Sequence, residues 1–290
     1  MLPAGEGDSI NGPSLVRVPD WLPGRQGRYY LYFAHHHGQY IRLAFADDLA
    51  GPWRVLAGGV LNLAEIPAAR GHVASPDVHV DAARREVRMY VHAPLRDGNG
   101  QRSFVALSPD GLRFTALPAP LGPFYFRCFC WRGAWWALAK GGVPLQSADG
   151  LTPFRPGPNP FPEMTSRRHA PGVHHNSPGD IRHLAVDLQD DDLVAYYSRI
   201  GDAPERILRR RIALTGDIAG WRAGPVEEVL SPLGADEGAD LALTPSIAGA
   251  ATSPENALRD PAILAEGARR WLVYAVAGES GLAIAEILRP

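Results

Sequence analysis

Histidine, arginine and a few carboxylates carry most of the chemistry this sequence offers. The ten histidines fall into three groups: His35, His36 and His37 in a row; His72, His79 and His92; and His169, His174, His175 and His183. An imidazole titrates near neutral pH, so such groups suit general acid–base work or, beside a carboxylate such as Asp77, a divalent metal ion. None of the spacings is a metal signature, and no metal ligand is assigned from them. Asp77 precedes His79 by two residues, which in an extended strand puts both side chains on one face. Arg127, Arg182 and Arg259 sit in strand-like segments far apart in the chain. Guanidinium forks bind planar oxygen pairs, so their convergence would suit a ligand bearing a carboxylate or several hydroxyls. Mutual neutralisation with Asp77, Glu255 and Asp260 is the competing use.

Only a fold that gathers distant segments can unite these residues, and the chain carries a repeat suited to that. Five units of similar order occupy about 9–56, 72–116, 121–155, 178–225 and 255–290. Each is built of short runs rich in Val, Tyr, Phe and Trp, separated by Gly, Asp and Pro, the pattern of antiparallel meanders. A four-stranded unit of this kind buries both faces only against neighbours, which predicts an all-β, five-bladed β-propeller forming one domain over 1–290. A β-sandwich would also read as many short strands, but it does not require the order to recur. The fifth unit lacks an outermost strand after residue 287, and the segment Ser9 to Asn11 or the stretch 228–254 is expected to complete it. Trp21, Tyr40, Trp131, Trp135 and Trp136 are read as packing residues of the blades.

Composition narrows the partners. A net charge of −2 excludes a field that would gather nucleic acid or an anionic membrane, although 28 of the 29 basic residues are arginine. No basic segment followed by an apolar run opens the chain and no membrane-length apolar stretch follows, so a cytoplasmic location is expected. Cys128 and Cys130 share one strand face without room for a bridge, and read as buried thiols.

The strand heads carry a resemblance. Inner strands opening on x-Pro-Ser or x-Pro-Asp, a third strand running into Ala46-Asp47-Asp48-Leu49-Ala50-Gly51-Pro52-Trp53, and Leu258-Arg259-Asp260-Pro261-Ala262 at the head of the last unit resemble the five-bladed glycoside hydrolase-like propellers. That superfamily includes glycoside hydrolase family 43 and the neoagarooligosaccharide hydrolases. The resemblance implies carboxylates at the axial ends of the innermost strands, converging on a small carbohydrate or oligosaccharide. Matched residue by residue, the family's Asp-Pro base is replaced by Asn11-Gly12-Pro13-Ser14 in blade one. Ser75-Pro76-Asp77 matches the strand that bears the family's pKa-tuning carboxylate. Blade three offers Tyr125 and Arg127, blade four Arg182 and His183, and blade five Asp260 with Glu255 upstream.

The expected site therefore has Asp77 and Asp260 as the two carboxyl groups that glycoside cleavage needs, with His183 or His79 as proton donor. Asn11, His36, Tyr125, Arg127, Arg182, Glu255 and Arg259 are expected to bind substrate. Two alternatives follow from the departures. The missing blade-one base points to a propeller that binds a carbohydrate or acidic ligand without hydrolysing it. The histidine cluster points to a metal-dependent lyase or isomerase, the one case in which a divalent ion would be the cofactor.

Overall fold

Large apolar side chains on both faces of the strands dictate how the sheets pack. All six residues of Tyr29–Ala34 are buried. Tyr30 and Tyr32 enter one hydrophobic cluster while Leu31 and Phe33 enter another, the two-residue alternation of an extended chain covered on each side. A computed structural model describes residues 9–164 and 176–288. Their strands form five separate antiparallel sheets arranged as the blades of a propeller.

Blade one runs outward through Asn11–Arg17, Tyr29–Ala34, Tyr40–Ala46 and Arg54–Val55. Blade two uses Ala74–Asp81, Glu86–Pro94 and Gln101–Ser108, with the short strands Thr115–Ala116 and Gly122–Pro123 both pairing with the last. Blade three is Arg127–Trp131, Ala134–Ala139, Val143–Ser147 and Arg155–Pro156, and blade four is Ile181–Gln189, Asp192–Arg199, Ile207–Ala213 and Glu227–Leu230. Blade five has three strands, Arg259–Glu266, Arg269–Val276 and Gly281–Glu286. Neither segment expected to complete it does so among the described residues: Asn11 heads the innermost strand of blade one, and Glu227–Leu230 is the outer strand of blade four.

Five hydrophobic clusters fill the gaps between neighbouring blades. The cluster between blades five and one joins Leu15, Leu31 and Phe33 to Ala262, Leu264 and Val273, and so closes the ring. Trp131, Trp136 and Trp221 pack together between blades three and four, as expected of blade aromatics. Cys128 is buried against blade two, whereas Cys130, on the same face near the Arg132–Gly133 turn, lies beyond the end of that packing and is exposed. The expectation of two buried thiols holds for Cys128 alone. Among the described residues no helix is long and apolar enough to cross a membrane.

Candidate active site

The innermost strands surround the channel, and a shared irregularity sets which side chains reach its mouth. In blades one, two, four and five the register with the second strand slips once near the strand head: between Asn11 and Ser14, Ala74 and Asp77, Ile181 and Leu184, and Arg259 and Ala262. Two residues there face one on the partner strand, which is a β-bulge. Gly12, Ser75 and Asp260, each first in its bulge, have φ of 54°, 51° and 50°, and Tyr125 at the head of blade three has 75°. Gly12 has no alternative. A Cβ there would lie 2.8 Å from Ser75 Cα, so the blade-one position cannot hold a carboxylate without moving backbone.

This register makes Ser75 the counterpart of Asp260. Asp77 sits beyond its bulge, level with Ser14, Leu184 and Ala262. The two expected carboxylates accordingly do not share a cavity lining. An upper cavity of about 150 Å³ is lined by His183, Ser75, Asn11, His36, Arg182 and Lys140, among others. A second, of about 300 Å³ and further along the channel, is lined by Asp77, His79, Ser14, Arg127 and apolar strand residues.

Asp260 lies directly under the upper cavity. Its side chain is 1% exposed; Oδ1 contacts His183 Nδ1, and Oδ2 accepts the Gly12 N–H at 3.0 Å. The His183 ring stacks on Tyr125, with centroids 4.4 Å apart and planes at 29°. Burial, reinforced by Lys140, Arg182 and Arg127, holds the His183 imidazole well below its ordinary pKa, so at neutral pH it is uncharged. With Nδ1 turned to Asp260, Nε2 is the nitrogen left to the cavity, and a neutral ring in that tautomer presents a lone pair. Sequence reading expected His183 to donate a proton; this arrangement favours acceptance.

Arg127 spans three blades. Its Nε donates to Leu184 O at 2.9 Å, Nη1 to Pro76 O at 2.9 Å and Nη2 to the Tyr125 hydroxyl at 2.8 Å. Burial pushes the Tyr125 hydroxyl up to about 12, so it stays protonated. Arg182 and Arg259 meet on one acid that sequence reading missed, Glu205. It takes the Nε of each, at 2.8 and 2.9 Å, and the Ser198 hydroxyl at 2.6 Å. Arg182 also donates to the carbonyls of Gly249 and Ile247. Arg259 also contacts Glu255, which is therefore a partner of Arg259 and no part of the cavity lining.

A second missed acid, Glu279, accepts from Asn11 Nδ2 at 2.9 Å, lies 3.5 Å from His36 Nδ1 and 3.9 Å from Arg259 Nη1. Burial raises its carboxyl, but His36, Asn11 and Arg259 together outweigh that and hold it below its usual range. Glu205 and Glu279 belong to turns of ordinary polar composition, and no spacing marks them. Lys140, the only lysine of the chain, was also missed; burial, with Arg182 nearby, lowers it to about 8.

In the lower cavity Asp77 Oδ2 accepts the Cys128 N–H at 2.6 Å and contacts His79 Nε2 at 2.9 Å. Burial pushes the Asp77 carboxyl up, yet His79, Arg127 and the Cys128 amide more than offset it, and the net shift is downward. The His79 ring packs edge-on against both Tyr90 and Trp135. Among the described residues no three His, Cys, Asp or Glu side chains are grouped to hold a metal ion; His169, His174 and His175 lie outside the described residues.

No protein-family model matches the chain. Solved structures of similar fold include a thermostable family-43 glycoside hydrolase (13% identity, TM-score 0.64, covering 97% of this chain and 90% of that one). Another is the GH43_1 enzyme from Xanthomonas citri complexed with xylose (16%, TM-score 0.62, 96% and 87%). A third is the Cellvibrio cellulosa alpha-L-arabinanase (13%, TM-score 0.60, 95% and 91%). At these identities the likeness shows the fold. Among curated proteins, the uncharacterized protein R118 of Acanthamoeba polyphaga mimivirus is 36% identical, over 96% of this chain and 83% of that protein. The chain belongs to the family of mimivirus protein R118, built on the five-bladed propeller fold of the family-43 glycoside hydrolases.

Proposed function

We propose that the protein is a carbohydrate-active enzyme that works in the upper channel cavity, with His183 as general base and Asp260 as the group that fixes its tautomer. The observation that carries this reading is the buried His183–Asp260 contact at the edge of that cavity. A carboxylate on Nδ1 orients the ring and stabilises the imidazolium that forms when Nε2 takes a proton from water or a sugar hydroxyl. Tyr125 limits the ring's freedom from one face. Glycosidic cleavage is the reaction class supported by the fold's relatives, among them an enzyme solved with xylose and with xylotriose. Asn11 and Arg182 are on the same lining, and in this reading Asn11, with the second N–H of each Arg182 terminal nitrogen, would meet sugar hydroxyls. Asp77 and His79 are assigned to the lower cavity and Arg127, Glu255 and Arg259 to holding the innermost strands.

A binding function without hydrolysis is favoured by one observation: Gly12 leaves the blade-one position without an acid. Release of reducing sugar from a panel of small pentosides and hexosides separates the two. Turnover by the native protein, lost in Asp260→Asn and His183→Gln, supports the enzyme. Saturable sugar binding with no turnover of any glycoside supports the binding protein.

A further inference from the structure

The geometry points to a substrate that carries an oxyanion, a carboxylate or phosphate group, seated at Lys140 in the upper channel cavity. This inference rests on reading that cavity as the substrate site. Its lining contains six basic side chains, His36, His72, His92, Lys140, Arg182 and His183, and no carboxylate. The nearest acids are already engaged from behind: Glu205 by Arg182, Glu279 by His36, Asp260 by His183, and Asp180 by the Ser177 N–H.

Lys140 differs from its neighbours. No carboxylate comes within 4.0 Å of its ammonium among the described residues, and Nζ lies over the Phe124 ring, 5.7 Å from its centroid. Asp180 and Glu205 act on this ammonium only from beyond ion-pair distance, and burial with Arg182 outweighs them, so a cost of desolvation remains that a neutral sugar would leave in place. A ligand anion would remove it. His92 adds a second open valence: it is buried, its ring packs on His72 and Phe124, and its Nδ1 has no hydrogen-bond partner. Lys140 thus lacks an ion-pair partner and His92 Nδ1 lacks a hydrogen-bond partner on the same small cavity, and both can donate to an oxyanion, Lys140 as the ammonium and His92 as the neutral ring, which burial favours, with its proton on Nδ1.

Titration calorimetry of the full chain at pH 8 tests this with D-glucuronate, D-glucose 6-phosphate, D-glucose and inorganic phosphate, in two buffers of different ionisation enthalpy. One of the charged sugars should bind at least roughly tenfold more tightly than glucose. Its binding should take up about half a proton, because an anion beside an amine with a pKa of about 8 raises that pKa. Lys140→Met should abolish the charged sugar's advantage and the proton uptake, and Lys140→Arg should restore the advantage. Preference for glucuronate or for glucose 6-phosphate then assigns the oxyanion. Equal affinity for charged and neutral sugars, an advantage that survives Lys140→Met, or no binding of any of the four probes overturns the inference. The enzymatic reading fails separately: charged sugars would bind with the Lys140 dependence intact while no sugar derivative is turned over.

Discussion

Replacing Glu205 with glutamine should cost the fold more than any other single isosteric change near the channel. Glu205 is fully buried, and the two arginines it joins, Arg182 and Arg259, are 2% and 1% exposed. The substitution preserves volume but removes the charge, and it turns an amide N–H₂ toward a guanidinium that is itself only a donor. Arg182 then loses its carboxylate partner, while Arg259 keeps Glu255 and the more distant Glu279. Breaking a buried pair by deleting one member costs about 3–5 kcal/mol, because the remaining charge stays buried and uncompensated. In a chain of this size roughly 2 °C of Tm corresponds to 1 kcal/mol, so Glu205→Gln should lower Tm by roughly 6–10 °C. Differential scanning calorimetry at one fixed scan rate reads this directly. The double variant Arg182→Met/Glu205→Gln should be less destabilised than the sum of its singles, since both touch one interaction. A Tm loss below about 2 °C, or strict additivity, would refute the view that Glu205 locks blades four and five together.

Other perturbations bear on the channel mouth. Gly12→Ala should destabilise by at least about 1–3 kcal/mol, from left-handed strain with Ser75 backbone contact added, and denaturant unfolding should show it as a lower midpoint. Lys140→Met should raise Tm at pH 7. The folded pKa of about 8 lies below the unfolded 10.5, so the unfolded chain binds more protons between those values, and the native lysine costs stability below pH 8 that is regained as pH rises toward 10.5; thermal melts of both proteins from pH 7 to 10 should converge. If His183 is the base, kcat/KM on any glycoside that is turned over should be flat just below neutrality and fall only well below pH 6.5, since His183 must be uncharged to accept a proton.

Much of the architecture was legible because it is written in local patterns. Alternating apolar residues in segments such as Tyr29–Ala34 need cover on both faces, and the recurring order of such segments already implies a ring. The strand heads were legible as motifs but not as geometry. Gly12-Pro13, Ser75-Pro76 and Asp260-Pro261 align on their prolines, which places Asp260 before the proline and Asp77 after it. The bulge converts that offset of two residues into separate cavities. Partnerships with loop residues were not legible at all. Glu205 lies 54 residues from Arg259 and Glu279 lies 268 from Asn11, and each reads in isolation as a solvated acid in a turn. Folding of blade four brings Arg182 to Glu205, packing of blade five on blade four adds Arg259, and ring closure brings Glu279 to Asn11 and His36. Lys140 was hidden for a similar reason: its place follows from the turn Lys140–Gly142 after Ala134–Ala139, which packs against the innermost strand of blade four.

Two histidines divide the channel, His183 on the upper cavity and His79 on the lower, each in contact with one carboxylate. Measuring turnover of the best glycoside substrate by His183→Gln and His79→Gln side by side compares the two cavities under one assay. Loss of kcat by a factor of about 100 or more in His183→Gln, with His79→Gln within about tenfold of the native protein, is the expected result. The reverse ranking would move the chemistry to Asp77 and His79 and contradict the assignment made for His183 and Asp260.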